Sequence, residues 1–302
     1  MTSPRRVGLL GGMFDPIHCG HVDVATAAEE ALHLTGMLVL PSNMPPHRPQ
    51  PVASGHHRFA MAAMAVAGRR GWRAVDLELR QDVASYTSDT LRRFHASGFE
   101  PAELVFITGA DAFLEIATWH DYPAVLDLAH FAVVSRPRVS VGGLPAQLPA
   151  LAARMRRVSV VSPTFPDAKA RRPGLPGVFE GGATQSAPGS PTRHPRWGGG
   201  TMHRRPNANE RRRRGTNDVR LTASARATAD ETCIFLIDAL TADVSSTAIR
   251  RARQARQSIA GWVPVAVQHH IEQHGLYEDP TPAADTPEGS LASAAGRLHG
   301  QD

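Results

Sequence analysis

Short apolar runs alternate with amphipathic stretches through the first 160 residues of this chain. The runs Val7–Leu10, Met37–Leu40, Ala74–Leu79, Leu104–Thr108, Phe131–Val134 and Val158–Val161 predict strands. Between them, apolar positions recur at helical spacing over His21–Leu34, His56–Ala67, Ser88–Ala96, Ala112–Thr118, Ala124–Leu128 and Ala146–Met155. Apolar strands separated by helices predict an α/β class, a doubly wound parallel sheet covered on both faces. The rhythm stops at residue 163. From 163 to 230 Gly, Pro and Arg dominate and large apolar residues are few, which predicts a disordered insert. It resumes with a strand over Thr232–Ile237, a serine-capped helix over Ser245–Arg256, and a helix from Pro264 to about His274 that Gly275 ends. Beyond Tyr277 the chain turns to Pro, Ala, Ser and Gly. The expected organisation is a core in two parts, 1–162 and 231–277, with a basic insert at 163–230 and a disordered tail at 278–302.

Charge changes this picture little. The net of +5 over 302 residues comes from the insert, where 13 Lys and Arg face 5 Asp and Glu, a net of +8, leaving −3 for the rest. The Arg211–Arg214 run raises a nucleic-acid alternative, but no aromatic interleaving or RNA module accompanies it, so it reads as a solvated segment. The two cysteines, Cys19 and Cys233, fit no metal spacing and suit a reduced, cytoplasmic setting. No apolar run reaches transmembrane length and no signal-peptide core is present, so no membrane partner is expected.

The chemistry is concentrated after the first strand. Gly11-Gly12-Met13-Phe14-Asp15-Pro16-Ile17-His18-Cys19-Gly20-His21 reads as strand, Gly-rich turn and helix start. Such a turn offers free backbone N–H groups and a positive helix end to an anion. His18 and His21, three apart across the helix start, can face one bound group. The stretch resembles the nucleotidylyltransferase signature G-G-x-F-D-P-x-H-x-G-H at all eight fixed positions. Val244-Ser245-Ser246-Thr247-Ala248-Ile249-Arg250 resembles that superfamily's I-S-S-T-x-I-R signature, where hydroxyls, amides and an arginine at a helix start can hold phosphate oxygens.

Together these and further segments resemble bacterial nicotinate-nucleotide adenylyltransferase, a Rossmann-like fold. Pro45-Pro46-His47-Arg48 resembles P-P-H-K, His57-Arg58 with Met61 resembles H-R-x-x-M, and Tyr86–Leu91 resembles Y-T-x-D-T-L. Gly109-Ala110-Asp111 resembles G-x-D, and Ser135-Arg136-Pro137 resembles S-R-P. The resemblance implies adenylyl transfer from ATP to nicotinate mononucleotide in NAD biosynthesis. It implies His18 and His21 as catalytic residues. It implies Gly11, Gly12, Met13, Phe14, His18, His21, His47, Arg48, Ser246, Thr247 and Arg250 around ATP. It implies Thr87, Asp111, Trp119 and Arg136 around the acceptor. Mg²⁺ would come with ATP and keep most of its waters, so no protein metal cage is expected. Asp15 is expected to fix the turn or assist metal hydration rather than act as a base. Met13 stands where many relatives carry Ser or Thr, and Arg48 replaces Lys.

The acceptor choice is left open between nicotinate mononucleotide, nicotinamide mononucleotide and phosphopantetheine, and self-association is left open. Each residue also has a bland reading. Trp119 can be a core aromatic, Thr87 and Asp111 helix caps, and Arg136 and His47 solvated groups. His33, His95, His120, His130, His269, His270 and His274 match no motif and read as structural or surface residues.

Overall fold

The computed structural model describes residues 6–44, 50–81, 83–158 and 231–278. Seven strands form one parallel sheet: β1 Val7–Gly12, β2 Gly36–Pro41, β3 Trp72–Ala74, β4 Leu104–Gly109, β5 His130–Val134, β6 Met155–Val158 and β7 Ile234–Ile237. Their order is β3-β2-β1-β4-β5-β7-β6. The chain walks outward from β1 to β3, then returns to lay β4 on the other side of β1. That reversal is the topological switch point, where open parallel sheets place their ligand crevice at the carboxyl edge.

The helices are α1 Cys19–Leu32, α2 Gly55–Val66, α3 Thr87–Ala96, α4 Ala110–Phe113, α5 Leu144–Gln147, α6 Ser246–Gln254 and α7 Val265–Gln273. Strand alternation divides the core in two. Leu10, Val105, Ile107, Ala132, Val134 and Ile237 pack under α1, α2, α6 and α7; Leu9, Phe106, Phe131, Val133 and Leu236 pack on the opposite face against Leu91, Phe94 and Phe113. Burial on both faces explains why these strands read as unbroken apolar runs.

Five expected elements move or change type. The strand expected at Ala74–Leu79 lies at Trp72–Ala74, because Trp72 anchors the edge: its indole donates to Glu29 at 2.8 Å and Arg69 covers its ring at 4.4 Å. After Val75 donates to the Val39 carbonyl, the chain turns away. The helix expected over Ala146–Met155 breaks at Leu148, before Pro149, which disfavours helical backbone at the preceding residue. A 3-10 helix Pro149–Arg154 and β6 follow, so the strand expected at Val158–Val161 begins earlier, at Met155. The segment Ala112–Thr118 is split into α4 and a 3-10 turn, Ile116–Thr118, and Ala124–Asp127 is also 3-10. The expected insert, 163–230, lies outside the described residues, and so does the expected tail beyond Glu278.

Candidate active site

The crevice is built on the loop between β1 and α1. Asp15 is its hub, only 2% exposed. Its Oδ2 accepts the Val52 N–H at 2.7 Å, and its Oδ1 accepts the Ala53 N–H at 3.0 Å and the Tyr277 hydroxyl at 2.8 Å. Burial and the Asp15 charge push the Tyr277 phenol far above its ordinary range, so it stays a donor. The carboxylate therefore fixes the turn, one of the two roles expected for it.

Arg58, on α2, grips the same loop from behind. It is among the largest fully buried side chains and donates to the carbonyls of Met13 at 2.8 Å, Ser42 at 2.6 Å and Ala53 at 3.2 Å. It belongs in the site although no site role was expected for it; its place in the H-R-x-x-M segment was the available signal.

His18 is the N-cap position of α1 and His21 lies in its first turn. Their rings stack at 3.7 Å, and Phe14 meets His21 edge-on at 5.1 Å. The His18 N–H donates to His21 Nδ1 at 3.2 Å. A neutral His21 ring must then carry its proton on Nε2, which becomes a donor. His18 is buried and its Nδ1 has no hydrogen-bond partner. Burial, then the charges at His21 and Arg136, hold His18 well below the ordinary imidazole value. Burial, then Arg136, takes His21 down to about 3. Both rings are neutral donors and acceptors at neutral pH, prepared for negative charge but not already carrying a positive one.

Arg136 closes this end of the crevice, donating to the Gly20 carbonyl at 3.3 Å. Gly20 is required by close approach: a Cβ there would meet the Ala242 carbonyl at 3.0 Å, and Arg136 Nη1 and His18 Cε1 at 3.2 Å. A Cβ at Gly109 would likewise collide with the Asp111 carboxylate and with Arg136 Cγ at 3.0 Å. Asp111 and Arg136 are thus neighbours across Gly109, at the ends of β4 and β5. Ser135 holds the adjacent edge, its hydroxyl donating to and accepting from Ala239 at 2.8 Å.

The second signature meets the first directly. Arg250 Nη1 donates to the Asp15 carbonyl at 2.7 Å and the Ser246 hydroxyl to the Pro16 carbonyl at 2.9 Å. Ser245 caps α6 by accepting the Ala248 N–H at 3.2 Å. Thr247 is exposed, and its hydroxyl accepts from Arg250 Nη2 at 3.3 Å. Two of the three side chains expected on phosphate therefore hold the signature loop in this state.

On the acceptor side, Trp119 is half-buried and packs edge-on to Phe106 at 5.9 Å; a Cβ at Gly11 would meet that same Phe106 ring at 3.2 Å. Thr87 is the first residue of α3; the cap position is Tyr86, so the bland reading of Thr87 as the cap does not hold. Tyr86 stacks on His120 at 4.2 Å, and Ser88 Oγ lies 3.2 Å from His120 Nδ1. His120, read as structural or surface, helps tie the Thr87 segment to the stretch that follows Trp119, beside the Arg92–Asp121 ion pair at 2.6 Å. His47 and Arg48 lie outside the described residues.

A parallel sheet with a Gly-rich loop, paired histidines and an arginine at its switch point defines an α/β protein with its crevice where open sheets place ligands. The cytidylyltransferase-like family profile matches residues 9–252, and the chain belongs to that family. A "probable nicotinate-nucleotide adenylyltransferase" of Desulfatibacillum aliphaticivorans is 45% identical over 133 residues, covering 44% of this chain and 60% of that one. One of the same description from Pseudomonas syringae pv. tomato is 40% identical over 153 residues, covering 51% and 69%. The chain thus spans under two thirds of the Desulfatibacillum protein. Plasmodium falciparum nicotinic acid mononucleotide adenylyltransferase, solved with NaAD, shares the fold at TM-score 0.52 and 12% identity, over 90% of this chain and 97% of that one. Among the described residues no helix is long and apolar enough to cross a membrane.

Proposed function

We propose that this protein transfers the adenylyl group of ATP to nicotinate mononucleotide, giving nicotinate adenine dinucleotide and pyrophosphate. The observation that carries this reading is the convergence of the two signatures: Arg250 and Ser246 hold the carbonyls of Asp15 and Pro16 beside the stacked His18–His21 pair and Arg136. An acceptor phosphate oxygen bonds to the α-phosphorus of ATP, the bridging oxygen to the β-phosphorus leaves, and no enzyme nucleophile takes part. Catalysis is then positioning and charge stabilisation.

His18 and His21 receive the charge that builds on the α-phosphoryl oxygens, His21 through Nε2–H. Such preorganised donors are worth ~3 kcal/mol each in a transition state. Gly11, Gly12, Met13 and Phe14 shape the cradle. Thr247 and the amides opening α6 offer the second contact to the triphosphate, and Arg250 reaches it by sharing or releasing the Asp15 carbonyl. Arg136 neutralises the acceptor phosphate, and Thr87, Asp111 and Trp119 bound the pyridine end. Mg²⁺ would come with ATP and supply charge neutralisation; the Asp15 carboxylate, already accepting three hydrogen bonds, does not fit as its ligand.

Pyrophosphate release is the test, with nicotinate mononucleotide, nicotinamide mononucleotide and phosphopantetheine as rival acceptors. Preference for the nicotinate form is expected. Turnover confined to phosphopantetheine would discard the roles of Thr87 and Trp119 while keeping those of His18 and His21.

A further inference from the structure

Away from the crevice, three histidines from distant parts of the sequence meet where α2 packs on α7. His57 lies in the first turn of α2; His270 is on α7 and His274 is its C-cap. One ring nitrogen from each lies within 4.8 Å of the other two. The His57–His270 and His57–His274 ring centroids are 5.2 and 5.0 Å apart, and those of His270 and His274 are 4.4 Å apart. His57 Nδ1 and His270 Nε2 face each other at 3.0 Å, so one proton is shared between two lone pairs.

We propose that His57, His270 and His274 form a transition-metal site, with Zn²⁺ the ion it suits. Two observations support it independently. The first is the convergence of nitrogens. Tetrahedral zinc with bonds of about 2.0–2.1 Å spaces its ligands about 3.3–3.4 Å apart, so the His57–His270 pair is already at nearly that separation. The second is the spacing on α7: His270 and His274 stand four apart on one face, the H-x₃-H arrangement of zinc-binding helices. Bound metal would take the place of the proton shared between His57 and His270. His270 is buried, His57 half-buried and His274 exposed, so the third ligand is free to adjust and solvent can complete the coordination. Neutral imidazole is the form a metal needs.

The consequence would be a staple. α2 carries Arg58 and the chain leaving α7 carries Tyr277; both hold the signature loop. Metal joining these elements would stiffen the crevice from behind without touching substrate. The inference stands apart from the adenylyl-transfer reading, because binding is measured without nucleotide.

The test is zinc chloride added to the full chain after chelator treatment and dialysis. Bound equivalents and the thermal midpoint are compared between the parent and a His57→Gln/His274→Gln variant, both positions being at least partly solvent-accessible. The parent is expected to bind one more equivalent than the variant. Its midpoint should rise by about 5–10 °C at a hundredfold excess over the dissociation constant. Co²⁺ should give visible bands of a four-coordinate site in the parent alone. Equal stoichiometry and equal midpoint shifts in the two proteins, or no bound zinc in the parent, would overturn the site.

Discussion

Two groups of histidines in this protein are built from the same side chain and differ in what surrounds them. His18 and His21 stack beside an arginine, in a loop whose carbonyls are held by Arg58 and Arg250. His57, His270 and His274 face one another, and the charges that act on His270 are those of the other two rings. Burial, with a cation beside them, keeps those imidazoles neutral, and the cation favours an incoming anion. Imidazoles that face only each other favour an incoming cation. The chemistry of a histidine cluster is set by its neighbours rather than by its count.

The largest expected effect tests the first group. His18→Ala should lower turnover about 10²–10³-fold at temperatures well below its thermal midpoint, where the lost packing of the buried ring does not limit activity. Turnover within a few-fold of the parent would remove His18 from the chemistry. Next, Arg58→Met should cost about 3 kcal/mol in denaturant unfolding, since the carbonyls of Met13, Ser42, Asn43 and Ala53 lose a charged donor. A variant as stable as the parent would mean that the loop carries itself. Gly20→Ala should cost about 1–3 kcal/mol of stability, and should raise KM for the acceptor more than for ATP, because the methyl displaces Arg136. Equal changes in both constants would separate Arg136 from the acceptor phosphate.

A pH series sharpens the comparison further. In the unfolded chain histidines take a proton near 6.5, whereas folded His130 waits until about 4 and His21 until about 3. Between these values the unfolded state binds more protons, so stability rises with pH. The contribution is complete above about 6.5 and is lost as pH falls toward 4 and then 3. ATP should flatten the His21 part, since an anion there favours the charged ring. It should leave the His130 part, whose ring accepts the Cys233 N–H at 2.9 Å. An ATP-independent slope in unfolding curves from pH 7 to 4 would place the triphosphate elsewhere.

The central strands were legible because burial on both faces demands unbroken apolar residues, and the first signature was legible because its parts are contiguous. β3 was misplaced because Trp72 is held by Glu29 and Arg69, contacts that no local alternation encodes. The second signature was found, but not its grip on Asp15 and Pro16, since a hydroxyl that suits phosphate equally suits a carbonyl. His120 and the His57–His270–His274 group were passed over for a simpler reason. Their partners lie far away in sequence, 32 residues for Ser88–His120 and 213 for His57–His270, and pattern reading has no reach at that range.

The bond from Tyr277 to Asp15 joins groups 262 positions apart. During synthesis, β1 and the signature loop emerge before the phenol that completes the Asp15 hub, which follows 262 residues after that carboxylate. On a ribosome that stalls before Tyr277, the signature loop would be translated but unfinished, lacking one of the three donors to its central carboxylate. Contacts of such span are costly to close and form late. The loop would be complete only once the chain leaving α7 is made, so products truncated before Tyr277 would carry the signature in sequence without its finished shape.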